Sequence, residues 1–190
     1  DMLARHLHEH SSLVNLADPG TYDLSETGTV TWATGTGWSS FAAPTKYLST
    51  GITPAQGYTL IVRFADGSGA VHMGVAGEEN TSSATDLAIT PVRGSADDRL
   101  YYHGGVAILG VRTYSGVLCV AGGACYINGS YEGATGAWSG TATLPVFIGC
   151  ININGSPSVA WNGSIQAVAI YSTTLDSTQV AEITDNMEAL

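Results

Sequence analysis

Two pairs of adjacent acidic residues are the first candidates for chemistry in this chain. Glu78 and Glu79 form one pair, and Asp97 and Asp98 form the other within a turn-like segment. Glycoside hydrolysis uses two carboxyl groups that lie about 5–10 Å apart. Adjacent residues of an extended strand point to opposite faces, so neither pair is predicted to form such a dyad. Asp97 and Asp98 could instead bind calcium beside a ligand site, since calcium prefers oxygen ligands.

Three histidines and two leucines form a second candidate set at the N-terminus. His6, His8 and His10 alternate, so a strand would place all three on one side, whereas a helix would align His6 with His10 at a spacing that can bind a transition metal. A terminal histidine cluster is more often a solvated segment, and this interpretation is preferred. Leu3 and Leu7 share one helical face. We therefore predict that residues 1–12 form an arm or short helix that contacts a neighbouring molecule.

Aromatic side chains in or beside loops are candidates for glycan binding. A sugar site needs rings that stack on sugar faces and polar groups that bind hydroxyls. The candidates are Trp138, Tyr131, Tyr102 and His103. Each has a structural alternative: Trp138 could cover a sheet edge, and either Tyr101 or Tyr102 should face the core because neighbouring strand residues alternate.

The composition restricts the classes of function. The chain has 190 residues, a formal net charge of -10 and a single lysine, Lys46, so it offers no basic surface for nucleic acid. No apolar run is long enough to span a membrane. Neither a Gly-x-Ser-x-Gly motif nor a phosphate-binding loop occurs. We expect a non-enzymatic protein with no nucleic-acid partner and no membrane insertion.

Turn residues between short apolar segments predict an all-β chain. Asn128-Gly129, Asn154-Gly155 and Asn162-Gly163 each supply residues that accept positive φ. The three cysteines lie in apolar segments and are predicted to be buried thiols. Cys119 and Cys125 would lie on opposite faces of a hairpin, although a bulge would allow a disulfide.

The alternation in residues 164–171 predicts a strand that is buried on both faces. Ile165 and Ala167 would lie on one face, and Val168 and Ile170 on the other. Such a strand is typical of a sheet inside a sandwich.

The next segment is predicted to be a helix. Asp176 can cap its first turn, Gln179 can complete a capping box, and Val180, Ile183 and Met187 recur at helical spacing. We expect this helix to lie against the sheet.

This strand and helix together resemble the end of laminin-G-like domains, which belong to the concanavalin A-like jelly-roll superfamily. The segments Lys46–Thr53 and Tyr58–Phe64 are similar to an early pair of strands in the same family, and Cys125–Gly129 is similar to one of its hairpins. The resemblance implies an all-β, two-sheet antiparallel jelly-roll sandwich with a short C-terminal helix. It implies one domain over residues 13–190, preceded by the arm.

The resemblance leaves the function open, because the superfamily includes lectins, adhesion domains, hydrolases and lyases. The hydrolases' acid pair has no matching positions here. Our leading interpretation is a non-catalytic structural or adhesion component of a virion, such as a decoration or fibre protein, or of a bacterial surface. Wide neutral Ser, Thr and Gly surfaces suit extended contacts with protein neighbours, including further copies of the chain. One alternative is a lectin-like carbohydrate-binding module that recognises surface glycans, and another is a polysaccharide-active enzyme. An extracellular or virion-surface location is expected, with no cofactor other than calcium.

Overall fold

A computed structural model describes residues 2–6, 13–69, 71–80, 84–94 and 98–190. Within these ranges the chain is built from short strands and one helix, numbered in chain order. The elements are β1 Met2–His6, β2 Ser25–Thr27, β3 Thr31–Ala33, β4 Gly37–Ser39, β5 Tyr47–Ser49, β6 Thr59–Ala65, β7 Ala76–Glu79, β8 Leu87–Thr90, β9 Arg99–His103, β10 Val106–Leu109, β11 Gly116–Ala121, β12 Ala124–Ile127, β13 Ser130–Ala134, β14 Phe147–Ile148, β15 Ile151–Ile153, β16 Ser156–Ser158, β17 Ser164–Tyr171 and α1 Ser177–Glu188.

The strands form two sheets that pack face to face. The first sheet has the order β13-β12-β11-β6-β17-β4-β3, and β1 also pairs with β17. The second sheet has the order β10-β9-β8-β7-β14-β5-β2, and the β15–β16 hairpin joins it through β7. The β15–β7 contact is parallel, whereas the pairings along both sheet orders are antiparallel. The predicted two-sheet antiparallel jelly-roll sandwich with a C-terminal helix is confirmed.

The central strand β17 is buried on both faces, as predicted, but its two faces differ from the predicted assignment. The pairing of β17 with β6 shifts register between Ile165 and Ala167. This irregularity reverses the alternation, because the bulged residue adds one position to the strand. Ile165 therefore joins Val168 and Ile170 in the core between the sheets, and Ala167 faces the helix.

The helix α1 covers the outer face of the first sheet. The Asp176 side chain accepts hydrogen bonds from the backbone N–H groups of Thr178 and Gln179, both at 2.9 Å. The Gln179 side chain accepts the Asp176 N–H at 3.0 Å, which completes the predicted capping box. Val180 and Met187 are buried against the sheet, where they help form a second apolar cluster.

The backbone of Met2–His6 is a strand rather than the helix that was one of the two predictions for this segment. It pairs antiparallel with β17, with Met2 opposite Tyr171 and His6 opposite Val168. The edge of β17 supplies hydrogen-bond partners that a short isolated helix would lack. Leu3 and His6 therefore lie in β1, and the predicted arm residues Leu7, His8 and His10 lie outside the described residues.

The turn and cysteine predictions are largely confirmed. Asn128 and Asn154 have φ of 46° and 52°, and the glycine after each also has positive φ. The third predicted turn differs, since neither Asn162 nor the glycine after it has positive φ. All three cysteines are buried free thiols. Cys119 pairs with Tyr126, one position away from Cys125, so the two thiols lie on opposite faces of their hairpin.

Candidate functional site

An open groove with a volume of 520 Å³ lies at one end of the second sheet. Its walls are the turn between β7 and β8, the loop between β13 and β14, and the turn between β15 and β16. The volume is within the range of roughly 300–1,000 Å³ that is typical of ligand sites. The lining residues are Asn80, Thr85, Ser139, Gly140, Thr141, Thr143, Leu144 and Asn154. Amide and hydroxyl groups dominate this lining, and none of the eight residues is charged or aromatic.

The strand pairing of the second sheet brings two asparagines into the lining of the groove. The parallel contact between β15 and β7 brings Asn154 beside Glu79, whose carbonyl oxygen accepts the Asn154 N–H at 2.9 Å. The N–H of Asn80 donates to Asp86 Oδ1 at 2.8 Å, which closes the turn between β7 and β8. Both asparagine backbones are therefore fixed by hydrogen bonds at the ends of strands.

The loop between β13 and β14 forms the third wall and is anchored at Trp138. The Trp138 Nε1–H donates to the carbonyl oxygen of Gly140 at 3.0 Å, and the next residue, Ser139, donates its N–H to Ala84 at 2.8 Å. Trp138 is half-buried and packs against the main core. It therefore lies next to the groove in sequence but positions the loop, rather than presenting a free ring to it.

His103 packs against Trp138 and so helps to position the same loop. Its ring lies 5.0 Å from the Trp138 ring, and its Nε2 lies 2.7 Å from the carbonyl oxygen of Gln56. Burial lowers the pKa of His103, which favours the neutral imidazole, and Nε2 must then carry the proton because a carbonyl only accepts. Gly104 has φ of 67°, and a Cβ there would lie 2.2 Å from Trp138 Cα, so only glycine permits this close approach.

Glu78 is buried beneath the groove end of β7 with one unsatisfied oxygen. Its Oε1 accepts the N–H of Leu87 at 3.2 Å, whereas its Oε2 has no hydrogen-bond partner. Burial and the nearby Asp86 carboxyl group raise the pKa of Glu78 to about 8. Asn152 is its partner on β15, and the Oδ1 of Asn152 is also buried without a partner.

Tyr102 lies on the outer face of the second sheet, opposite to the face of His103. Its register partner is Ala88, and its hydroxyl donates a hydrogen bond to the Glu79 carboxylate. Burial and the Glu79 charge raise the pKa of Tyr102. Tyr102 and His103 are thus adjacent in sequence but have different surroundings, and neither lines the groove.

Tyr131 lies on the other sheet from the groove. It is 63% exposed on β13, opposite Tyr126, and the two rings meet edge to face at 5.7 Å. The structure therefore brings Trp138 and His103 together and places Tyr131 apart from them.

The structure describes only one of the two residues that were predicted to bind calcium. Asp98 forms an ion pair with Arg93 at 3.2 Å, and Asp97 lies outside the described residues. Among the side chains that the structure describes, no group of three His, Cys, Asp or Glu residues is placed to hold a metal ion. Calcium binding at this position stays a prediction.

The groove residues themselves were not predicted as a site. The sequence predicts Asn154 as a turn residue and offers no motif at Thr141 or Thr143. The available signal was the density of Asn, Ser and Thr in these segments, but it also describes ordinary turns.

The sequence matches no protein-family model and no curated protein. Several solved structures share the fold. Domain 4 of AbnA, an extracellular arabinanase of Geobacillus stearothermophilus solved with arabinotriose, is 15% identical with a TM-score of 0.66, and the match covers 97% of this chain and 98% of that one. The CBM40 of a Ruminococcus gnavus sialidase, bound to α2,3-sialyllactose, is 13% identical with a TM-score of 0.51, and the match covers 69% of this chain and 83% of that one.

A third similar structure belongs to botulinum neurotoxin type C, whose cell entry depends on two ganglioside molecules. It is 9% identical with a TM-score of 0.62, and the match covers 98% of this chain and 51% of the toxin chain, so this chain spans about half of that one. At such identities the likeness shows the fold alone. The chain therefore has the β-sandwich fold that these carbohydrate-binding domains share, and the assignment to laminin-G-like domains stays a prediction.

No helix in the described part of the chain has the length and apolar character needed to span a membrane.

Proposed function

We propose that this chain is a non-catalytic carbohydrate-binding module that holds a glycan in the groove and acts outside the cell. The observation that carries the proposal is the lining of the groove, where amides and hydroxyls from three segments converge. Sugar hydroxyls both donate and accept hydrogen bonds. The side chains of Asn and Thr do the same, so the two sets are complementary.

The comparisons support this proposal more than the virion or surface-assembly interpretation. Two of the similar domains were solved with a bound oligosaccharide, and one match covers nearly the full length of both chains. The absence of an aromatic ring among the eight lining residues favours weak binding, because stacking on sugar faces would not contribute. Leu144 offers an apolar wall for sugar C–H groups.

The test is a titration of isotope-labelled protein with neutral oligosaccharides such as arabinotriose and lactose, for the wild type and two single variants. Thr141→Val and Thr143→Val each remove one exposed hydroxyl from the groove and keep the side-chain shape. Each should weaken binding by about 0.5–1.5 kcal/mol, the usual net value of one hydrogen bond. Thr31→Val, at an exposed threonine on β3, is the matched control and should bind as the wild type does. Unchanged affinity in both groove variants would exclude the groove as the site.

An assembly role is the second candidate, and exposed apolar residues favour it. Val106 and Ile108 are 51% and 49% exposed on β10, which ends the order of the second sheet. Unpaired strand edges with apolar side chains can pair with other chains. Sedimentation of the wild type and of a Val106→Lys variant tests this role. Concentration-dependent association that the lysine abolishes would support it, and a monomer at all concentrations would exclude self-assembly through β10.

A further inference from the structure

The described residues that line the groove include no basic residue. The sequence has six lysines and arginines in total, and none is among the groove's lining residues. A ligand in the groove therefore meets amides and hydroxyls, without a positive charge.

The described arginine side chains are engaged elsewhere in the fold. Arg93 pairs with Asp98, and Arg99 pairs with Glu132. Arg63 donates to the carbonyl oxygen of Met187 near the end of α1, at 2.6 Å. These contacts hold loops, sheets and the helix together. They leave these three guanidinium groups committed to the protein rather than to a ligand.

Arg112, Lys46 and Arg5 complete the set of cations. Arg112 lies over the ring of Tyr114 at 6.0 Å. Lys46 immediately precedes β5, and Arg5 lies in β1 of the first sheet. Neither strand contributes a residue to the groove.

Acidic residues, by contrast, lie directly behind the groove walls. Asp86 accepts the N–H of the lining residue Asn80, and Glu79 immediately precedes Asn80. The chain as a whole carries a formal net charge of -10. A negatively charged ligand in the groove would meet like charge with no cation among the described lining residues to offset it, and like charges oppose binding.

We propose that the groove selects neutral oligosaccharides and excludes anionic ones, such as sialylated glycans. This inference rests on the proposed function and specifies its ligand class. It separates the chain from the similar CBM40, which was solved with sialyllactose. The discrimination comes from an unpaired charge on the ligand rather than from shape.

The test compares lactose with 3′-sialyllactose, because the two ligands share one disaccharide and differ by a single anionic sugar. Titration of the wild type should give lactose binding and sialyllactose binding about 5- to 30-fold weaker at low salt. The gap should narrow at about 1 M salt, where charges are screened within roughly 3 Å. A glycan array carrying neutral, sialylated and uronic-acid oligosaccharides extends the comparison.

A charge variant tests the cause of the selectivity. Thr143→Lys adds one cation to the groove and should bring sialyllactose binding to at least the level of lactose, whereas Thr31→Lys on β3 should leave both affinities unchanged. Sialyllactose that binds the wild type as tightly as lactose overturns the inference and leaves the proposed function intact. Equal gains in both lysine variants would assign the effect to net charge and overturn the groove as its cause. Failure of every glycan on the array to bind overturns the proposed function, and this inference with it.

Discussion

The helix-covered face of the first sheet and the groove end of the second sheet are built from opposite kinds of residue. Under α1, the buried side chains are mostly apolar and include Ile61, Val180 and Met187, and the Thr184 hydroxyl is the one buried polar group without a partner among the described residues of the helix. At the groove end, Glu78 and Asn152 are just as buried, yet Glu78 Oε2 and Asn152 Oδ1 have no hydrogen-bond partner. The helix-covered face buries mainly hydrocarbon and one hydroxyl, whereas the groove end buries a carboxyl group and an amide side by side.

This difference supports the proposal that the groove end serves binding, whereas the helix-covered face serves stability. Burial of apolar surface stabilises a fold, whereas burial of an unsatisfied polar group costs free energy. A region selected for stability alone would not combine Glu78 with a nearby Asp86 carboxyl group. Local departures from the rules of stable packing concentrate at functional sites. The groove end is where such departures occur beside a cavity of ligand size.

The largest expected effect comes from weakening the helix-covered face. Ile61→Ala removes a fully buried side chain under α1 and should lower the free energy of unfolding by about 2–5 kcal/mol. Urea denaturation measures the change. Ile108→Ala makes the same substitution at a half-exposed position and should change stability far less. Glycan affinity in the folded Ile61→Ala variant should equal that of the wild type, because the groove lies on the other sheet; a loss of binding would mean that the two regions are coupled.

The second largest effect is an increase in stability, and it comes from a substitution at the groove end. Glu78→Gln replaces a buried acid with a neutral group of the same shape and should raise the free energy of unfolding by about 1–3 kcal/mol at pH 8. In the wild type, the pKa of Glu78 is about 8 in the folded state and near its ordinary value of 4.5 in the unfolded state. The stability that Glu78 contributes is therefore complete below pH 4.5 and is lost as the pH rises to 8.

Thermal melting of both proteins between pH 4 and pH 9 checks this prediction. The two melting temperatures should coincide near pH 4 and separate as the pH rises, with the variant melting higher. Contributions from groups that do not interact with Glu78, such as His103, cancel in the difference, whereas Asp86 and Glu79 are coupled to it. Glu182→Gln, at an exposed position of α1, should show no such pH dependence. A variant less stable than the wild type at pH 8 would show that the carboxylate is needed in the fold.

The smallest of these effects concerns the helix cap. Asp176→Ala removes the side chain that accepts the N–H groups of Thr178 and Gln179, and it should lower stability by about 1 kcal/mol. Asp185→Ala, an exposed substitution within the same helix, should cost less. Chemical denaturation measures the free energy of unfolding of both variants. An equal decrease in the two would mean that the capping box does not stabilise the helix.

The parts of the fold that depend on local sequence could be predicted. Asp176 and Gln179 are three residues apart, and Asn128-Gly129 is a dipeptide, so their interactions are visible in a short window. The reversal of faces after Ile165 could not be predicted, because a bulge depends on the pairing between β17 and β6. The groove could not be predicted for the same reason, since Asn80 and Asn154 meet only through the parallel contact between β7 and β15.

The role of an aromatic residue could also be predicted only in part from the sequence. Trp138 was predicted as a ligand residue from its type and its loop, and its position beside the groove agrees with that expectation in part. The Trp138 ring packs against the ring of His103. His103 is 35 positions away in sequence, so this contact depends on the packing of the sandwich. Residue type indicated the correct loop, whereas tertiary contacts decided what the ring does.

A map of backbone amide chemical shifts during titration with a neutral oligosaccharide would locate the binding site residue by residue. Binding in the groove should produce saturable changes at its lining residues, which include Asn80, Thr85, Ser139, Thr143 and Asn154. Amides of β13 around Tyr131 and of α1 should stay unchanged. Saturable shifts confined to β13 or α1, or no shift at the groove residues at saturation, would contradict binding in the groove.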